Sequence, residues 1–141
     1  MVAVIGLQAV APLGQDLVWG DLVAPGDAVE VVAIENSILR DAFFDAVLAQ
    51  GGTTTITNTV ITGADRGVVS WLSAADVAVT NCTLDDNRIG ILAHGGATQV
   101  TNTLVTNSLQ VGIDNDIDPD PVVRFSDLFN QDVQNSRGFP D

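Results

Sequence analysis

The stretch Ile34-Glu-Asn36-Ser-Ile-Leu39 returns as Ile56-Thr-Asn58-Thr-Val-Ile61, Val79-Thr-Asn81-Cys-Thr-Leu84 and Val100-Thr-Asn102-Thr-Leu-Val105. A fifth copy, Val123-Arg-Phe125-Ser-Asp-Leu128, keeps the frame with Phe in place of Asn. The copies are offset by 22, 23, 21 and 23 residues. Further along each period comes a second shared phrase: Ala46-Val47, Gly67-Val68, Gly90-Ile91 and Gly112-Ile113. Three aliphatic columns result. Ile34, Ile56, Val79, Val100 and Val123 form one, and Leu39, Ile61, Leu84, Val105 and Leu128 a second. Val47, Val68, Ile91 and Ile113 form the third. The runs are β-branched, too short for helices, and interrupted by Gly and Asn.

Three short strands per period, with like residues returning to like positions, describe one coil of a parallel β-helix. Neighbouring coils would sit ~4.8 Å apart, the ordinary strand spacing. The expected fold is all-β, a solenoid of about five to six coils of 21–23 residues. Asn36, Asn58, Asn81 and Asn102 are expected to form an inward ladder at one corner. There each amide bonds the next, and Asn tolerates the left-handed backbone of a tight bend. Small residues follow each: Ser37, Thr59, Cys82, Thr103 and Ser126. Residues 1–30 are less regular and read as a degenerate N-terminal coil or cap. Residues 31–141 carry the clear coils, in one domain that reads as part of a longer solenoid.

The V/I-x-N-S/T/C-x-I/L…G-V/I phrase resembles the right-handed parallel β-helix repeat family of pectate-lyase-like proteins over about residues 34–130. The leucine-rich repeat has an overlapping period, but its leucine-dominated frame is missing. The resemblance implies an extracellular or cell-surface location and a link to carbohydrate. It is informative about fold and weak about activity. Lyases of this fold usually use a basic residue to abstract a proton. This chain has no Lys, leaving Arg66 or Arg88 for that role, and Arg is rarely deprotonated.

Composition sets outer limits. The 141 residues suit one domain. Five Arg against 18 Asp and Glu leave a net charge of -13, which argues against nucleic acid and anionic membranes as partners. Cys82 is the single cysteine, so no intrachain disulfide or Cys-rich zinc site forms. The apolar start Met1–Leu7 has no basic residue before it and is too short to span a bilayer. It reads as neither signal peptide nor anchor.

Three places could carry chemistry. Asp114, Asp116, Asp118 and Asp120 alternate along one segment and could converge on Ca2+, against the alternative of a solvated acidic loop. Stepping three residues past the third aliphatic column gives Gln50, Trp71, His94 and Asp116 on one expected edge. There Trp71 offers a sugar platform and His94 with Asp116 an acid/base pair; the alternative is plain turn packing. Asp85-Asp86-Asn87-Arg88 presents paired carboxylates, read either as glycosidase chemistry or as a turn with a surface ion pair.

The expected function is a non-catalytic scaffold or recognition module binding polysaccharide or a surface protein, with Ca2+ as a candidate stabiliser. One alternative is a polysaccharide-active lyase, hydrolase or epimerase, or a fragment of one. The other is a subunit that self-associates end to end, because a bare terminal coil exposes unpaired backbone groups.

Overall fold

In the computed structural model the chain is described over residues 22–24, 31–117, 119–129 and 134–137, with side chains over 32–117 and 119–129. Strand β1 (Leu22–Ala24) precedes the first coil, which holds β2 (Val31–Glu35), β3 (Ile38–Arg40) and β4 (Asp45–Ala49). The second coil holds β5 (Gly52–Thr57), β6 (Val60–Thr62) and β7 (Arg66–Trp71). The third holds β8 (Ala75–Thr80), β9 (Thr83–Asp85) and β10 (Ile89–His94). The fourth holds β11 (Ala97–Thr101), β12 (Leu104–Thr106) and β13 (Val111–Ile117). A further set follows: β14 (Val122–Arg124), β15 (Asp127–Phe129) and β16 (Gln134–Arg137).

Each strand pairs in parallel with its counterpart one coil away. The result is a first sheet β2-β5-β8-β11-β14, a second β3-β6-β9-β12-β15 and a third β1-β4-β7-β10-β13-β16. Over the described residues the chain is a parallel β-solenoid of about four full turns, flanked by strands of a preceding and a following coil. That is slightly fewer full turns than the five to six expected. Of residues 1–30, only β1 is described; it pairs with β4, Leu22 opposite Val47.

Register follows the aliphatic columns. Ile34, Ile56, Val79, Val100 and Val123 are successive partners in the first sheet. Leu39 pairs with Ile61, Ile61 with Leu84, Leu84 with Val105 and Val105 with Leu128 in the second. Val47, Val68, Ile91 and Ile113 do the same in the third. These residues fill one continuous core, against which Val123 and Leu128 pack from its end. Burying them removes apolar surface that no single coil could hide, so each coil depends on its neighbours.

Alternation along the third sheet builds a second apolar layer. Val68 and Ile91 enter the main core, whereas their neighbours Val69 and Leu92 join Ile89 and Val111 in a separate buried cluster. Leu48 and Trp71 pack against that cluster. This sheet is therefore apolar on both faces, as parallel sheets usually are.

The corners correct one expectation. Asn36, Asn58, Asn81 and Asn102 do stack in register with left-handed φ of 51°, 51°, 54° and 49°. However, their side chains are exposed, so the ladder faces solvent rather than the core. Asn58 Nδ2 donates to Asn36 Oδ1 at 3.3 Å, and Asn102 Nδ2 to Asn81 Oδ1 at 2.6 Å. The inward position is the next residue. There the amide N–H of Ser37 donates to Thr59 Oγ1, that of Cys82 to Thr103 Oγ1 and that of Thr103 to Ser126 Oγ. The reason is geometric: the left-handed residue turns the chain, and the following extended residue points into the lumen.

Candidate functional site

Of the expected edge column, Trp71, His94 and Asp116 lie at or near the C-terminal ends of the third-sheet strands β7, β10 and β13. Trp71 closes β7, and its backbone partner is His94, which closes β10. The imidazole stacks on the indole, with ring centroids 4.2 Å apart and planes 20° from parallel. One indole face is thus covered, and the sugar platform expected of a bare Trp becomes a two-ring stack. His94 Nδ1 meets Asp116 Oδ2 at 2.6 Å.

A bulge makes that contact. The register between β10 and β13 shifts after Ala93, so His94 lies opposite Ile117 and Asp116 is the extra residue. Bulges re-aim side chains, and this one places the carboxylate beside the imidazole. Among the described residues, no other hydrogen bond engages the His94 side chain. Gln50, expected in the same column, is half-buried.

The backbone beside this column is strained. Leu72, directly after Trp71, has φ of 131°, and its N–H donates to His94 O at 3.2 Å. Facing it, Gly95 and Gly96 adopt φ of 95° and 73°, and a Cβ on Gly96 would lie 2.0 Å from Ala75 O. A side chain on Gly96 is excluded there, and the turn is held by backbone bonds together with the Ser70 hydroxyl, which donates to Gly95 O at 2.7 Å.

The described carboxylates of the acidic segment have different surroundings. Asp114 is 2% exposed, while the Asp116 side chain is 59% exposed and engaged with His94. Asp120 Oδ1 accepts from Asn115 Nδ2 at 2.6 Å. Asp118 lies outside the described residues. Among the described residues, no three His, Cys, Asp or Glu side chains gather as a metal set.

The Asp85–Arg88 segment is resolved into structural roles. Asp85 Oδ1 accepts from Asn107 Nδ2 at 2.7 Å, and Asp86 sits exposed at a left-handed corner with φ of 54°. Asn87 is fully buried: its Oδ1 accepts from the Ala64 N–H and its Nδ2 donates to Ile61 O. A buried amide therefore exists, but at a different corner from the predicted ladder. Arg88 forms the ion pair, and its partner is Asp65 one coil away, in a two-pronged contact at 2.5 and 2.9 Å. That hydrogen bond holds the Asp65 carboxyl below its ordinary range and raises the Arg88 guanidinium. Arg66 pairs with Asp45 in the same fork geometry. Sequence reasoning missed both pairs, although their separations of 21 and 23 residues match the repeat.

No curated protein and no solved structure matched the chain in comparison. The family model of the right-handed β-helix region matches residues 23–127. The stacked registers, the left-handed corners and this match over most of the chain agree: the protein belongs to the right-handed β-helix family.

Proposed function

We propose that this protein is a non-catalytic, extracellular recognition module that holds a carbohydrate chain along the edge formed by Trp71, His94 and Asp116. The observation that carries the reading is the alignment of these three side chains on three consecutive coils. The coil spacing of ~4.8 Å is close to the length of one pyranose unit, so a glycan lying along the solenoid axis would meet one rung per sugar. The indole–imidazole stack offers apolar contact to C–H groups, while imidazole and carboxylate bond hydroxyls. The strained Leu72 beside the column fits a binding role, since such outliers concentrate at functional sites.

Calorimetric titration with neutral and uronate oligosaccharides, in Ca2+ and in EDTA, tests this. Trp71→Ala, His94→Ala and Asp116→Asn should each weaken binding about tenfold, equivalent to ~1.4 kcal/mol. Wild-type protein that takes up no glycan, or variants that bind as well as wild type, would refute it.

A second reading rests on the same 2.6 Å contact. A carboxylate that orients an imidazole prepares it for acid/base work on a polysaccharide. New reducing or unsaturated ends after incubation would establish this reading over the first.

A further inference from the structure

A second surface lies at the opposite end of the third-sheet strands. Its shape comes from chain length. Asp41, Gly63, Asp86 and Asn107 all occupy one left-handed corner, with φ of 57°, 71°, 54° and 51°. From that corner to the third sheet, coils two and three need three steps, to Arg66 and Ile89. Coils one and four need four, to Asp45 and Val111. The backbone bonds identify the extra residues. Arg66 N–H donates to Phe44 O, Arg88 N–H to Ala64 O and Gln110 N–H to Arg88 O. Leu109 N–H donates to Asn87 O as Arg88 N–H does to Ala64 O, so Phe44, Asp65, Arg88 and Leu109 are equivalent, and Phe43 and Gln110 are the extra residues.

Phe43 and Leu109 both protrude. Phe43 is 82% exposed and Leu109 55% exposed. Together with Asp41, Asp86 and the Asp65–Arg88 pair they line an open groove of about 540 Å³. Arg88 is already engaged by Asp65 and Gln110, and neither Asp41 nor Asp86 is ion-paired among the described residues. The groove thus offers two apolar posts, with the unpaired carboxylate of Asp41 beside one and that of Asp86 on a coil between them.

From this geometry we infer that the groove docks an extended segment of a partner protein in which two aliphatic residues four positions apart flank a central Arg or Lys. Three coil spacings separate the posts, or ~14 Å, and an extended peptide covers that in about four residues. Side chains two and four positions along point the same way, so the basic group enters the groove, within reach of Asp86, when the aliphatic ones meet Phe43 and Leu109. Charge complementarity selects the central residue, and the exposed Phe43 ring adds attraction for a cation. This chain has no Lys and a net charge of -13, which favours a basic partner over another copy of itself. The inference does not depend on the Trp71 column.

Fluorescence anisotropy of a labelled, end-blocked Gly-Leu-Ser-Arg-Ser-Leu-Gly peptide with the full chain tests it. Saturable binding is expected with Kd of about 0.1–1 mM at low salt, weakening as salt rises. Phe43→Ser and Leu109→Ser, at exposed positions that folding does not need, should each raise Kd about fivefold or more. A peptide with Asp in place of Arg should not bind, and Trp71→Ala should leave binding unchanged. The inference is overturned by no saturable signal, by equal binding of the Asp peptide, or by normal binding to both Ser variants.

Discussion

A left-handed residue recurs once per coil at the Asn corner, and its identity decides whether that turn is relaxed. Left-handed backbone costs most residues about 1–2 kcal/mol, while Asn visits it routinely. Asn58 and Asn102 add an amide bond to the coil before, at 3.3 and 2.6 Å. Phe125 adopts the same conformation with φ of 50° and is 86% exposed. It lacks the amide and leaves an aromatic ring in water. Phe125→Asn should therefore stabilise the fold by about 1 kcal/mol, seen as a melting midpoint several degrees higher. An unchanged or lower midpoint would mean that Phe125 is held by packing instead.

Among the strands, the third sheet tolerates least change. Gly67, Gly90 and Gly112 occupy one column where coils approach closely. A Cβ on Gly90 would lie 2.5 Å from Gly112 O and 2.6 Å from Val105 Cγ1. A Cβ on Gly67 would lie 2.5 Å from Gly90 O. Neither neighbour is a flexible side-chain end, so the coils must part. Gly90→Ala is expected to destabilise by about 2–3 kcal/mol in urea unfolding, the usual cost of overpacking. The second shared phrase of the repeat, glycine before the aliphatic residue, thus has a steric cause.

Across the whole solenoid, ion pairs tie coil to coil. Asp45–Arg66 joins coils one and two, and Asp65–Arg88 joins coils two and three. The Asp65 carboxyl is held below the ordinary carboxylate range because Arg88 bonds its charged form. A carboxyl lowered on folding adds stability that is fully present above its unfolded pKa. That stability is lost as pH falls through the folded value. Asp65→Asn should therefore lower stability near neutral pH and flatten the loss on acidification below about pH 4. The pair is partly exposed, so the effect should stay within ~1 kcal/mol and shrink in salt. Melting curves across that pH range, for wild type and variant, would show it.

The repeat alone dictated the solenoid, its three aliphatic columns and the pairing of residues a coil apart. Such stacking is a one-dimensional property: equal spacing along the chain becomes vertical contact, as in Trp71 over His94. Directions and irregularities came from three-dimensional packing. Whether Asn36 or Ser37 faces the lumen depends on how the corner turns. Asp116 reaches His94 because of a one-residue bulge, while Asp114, two positions earlier, is buried. Phe43 stands out where coil one carries one residue more than coil two, and Leu109 stands beside Gln110, the extra residue of coil four. A regular period records what the coils share; the bulge and the insertions break it, and the candidate sites lie there.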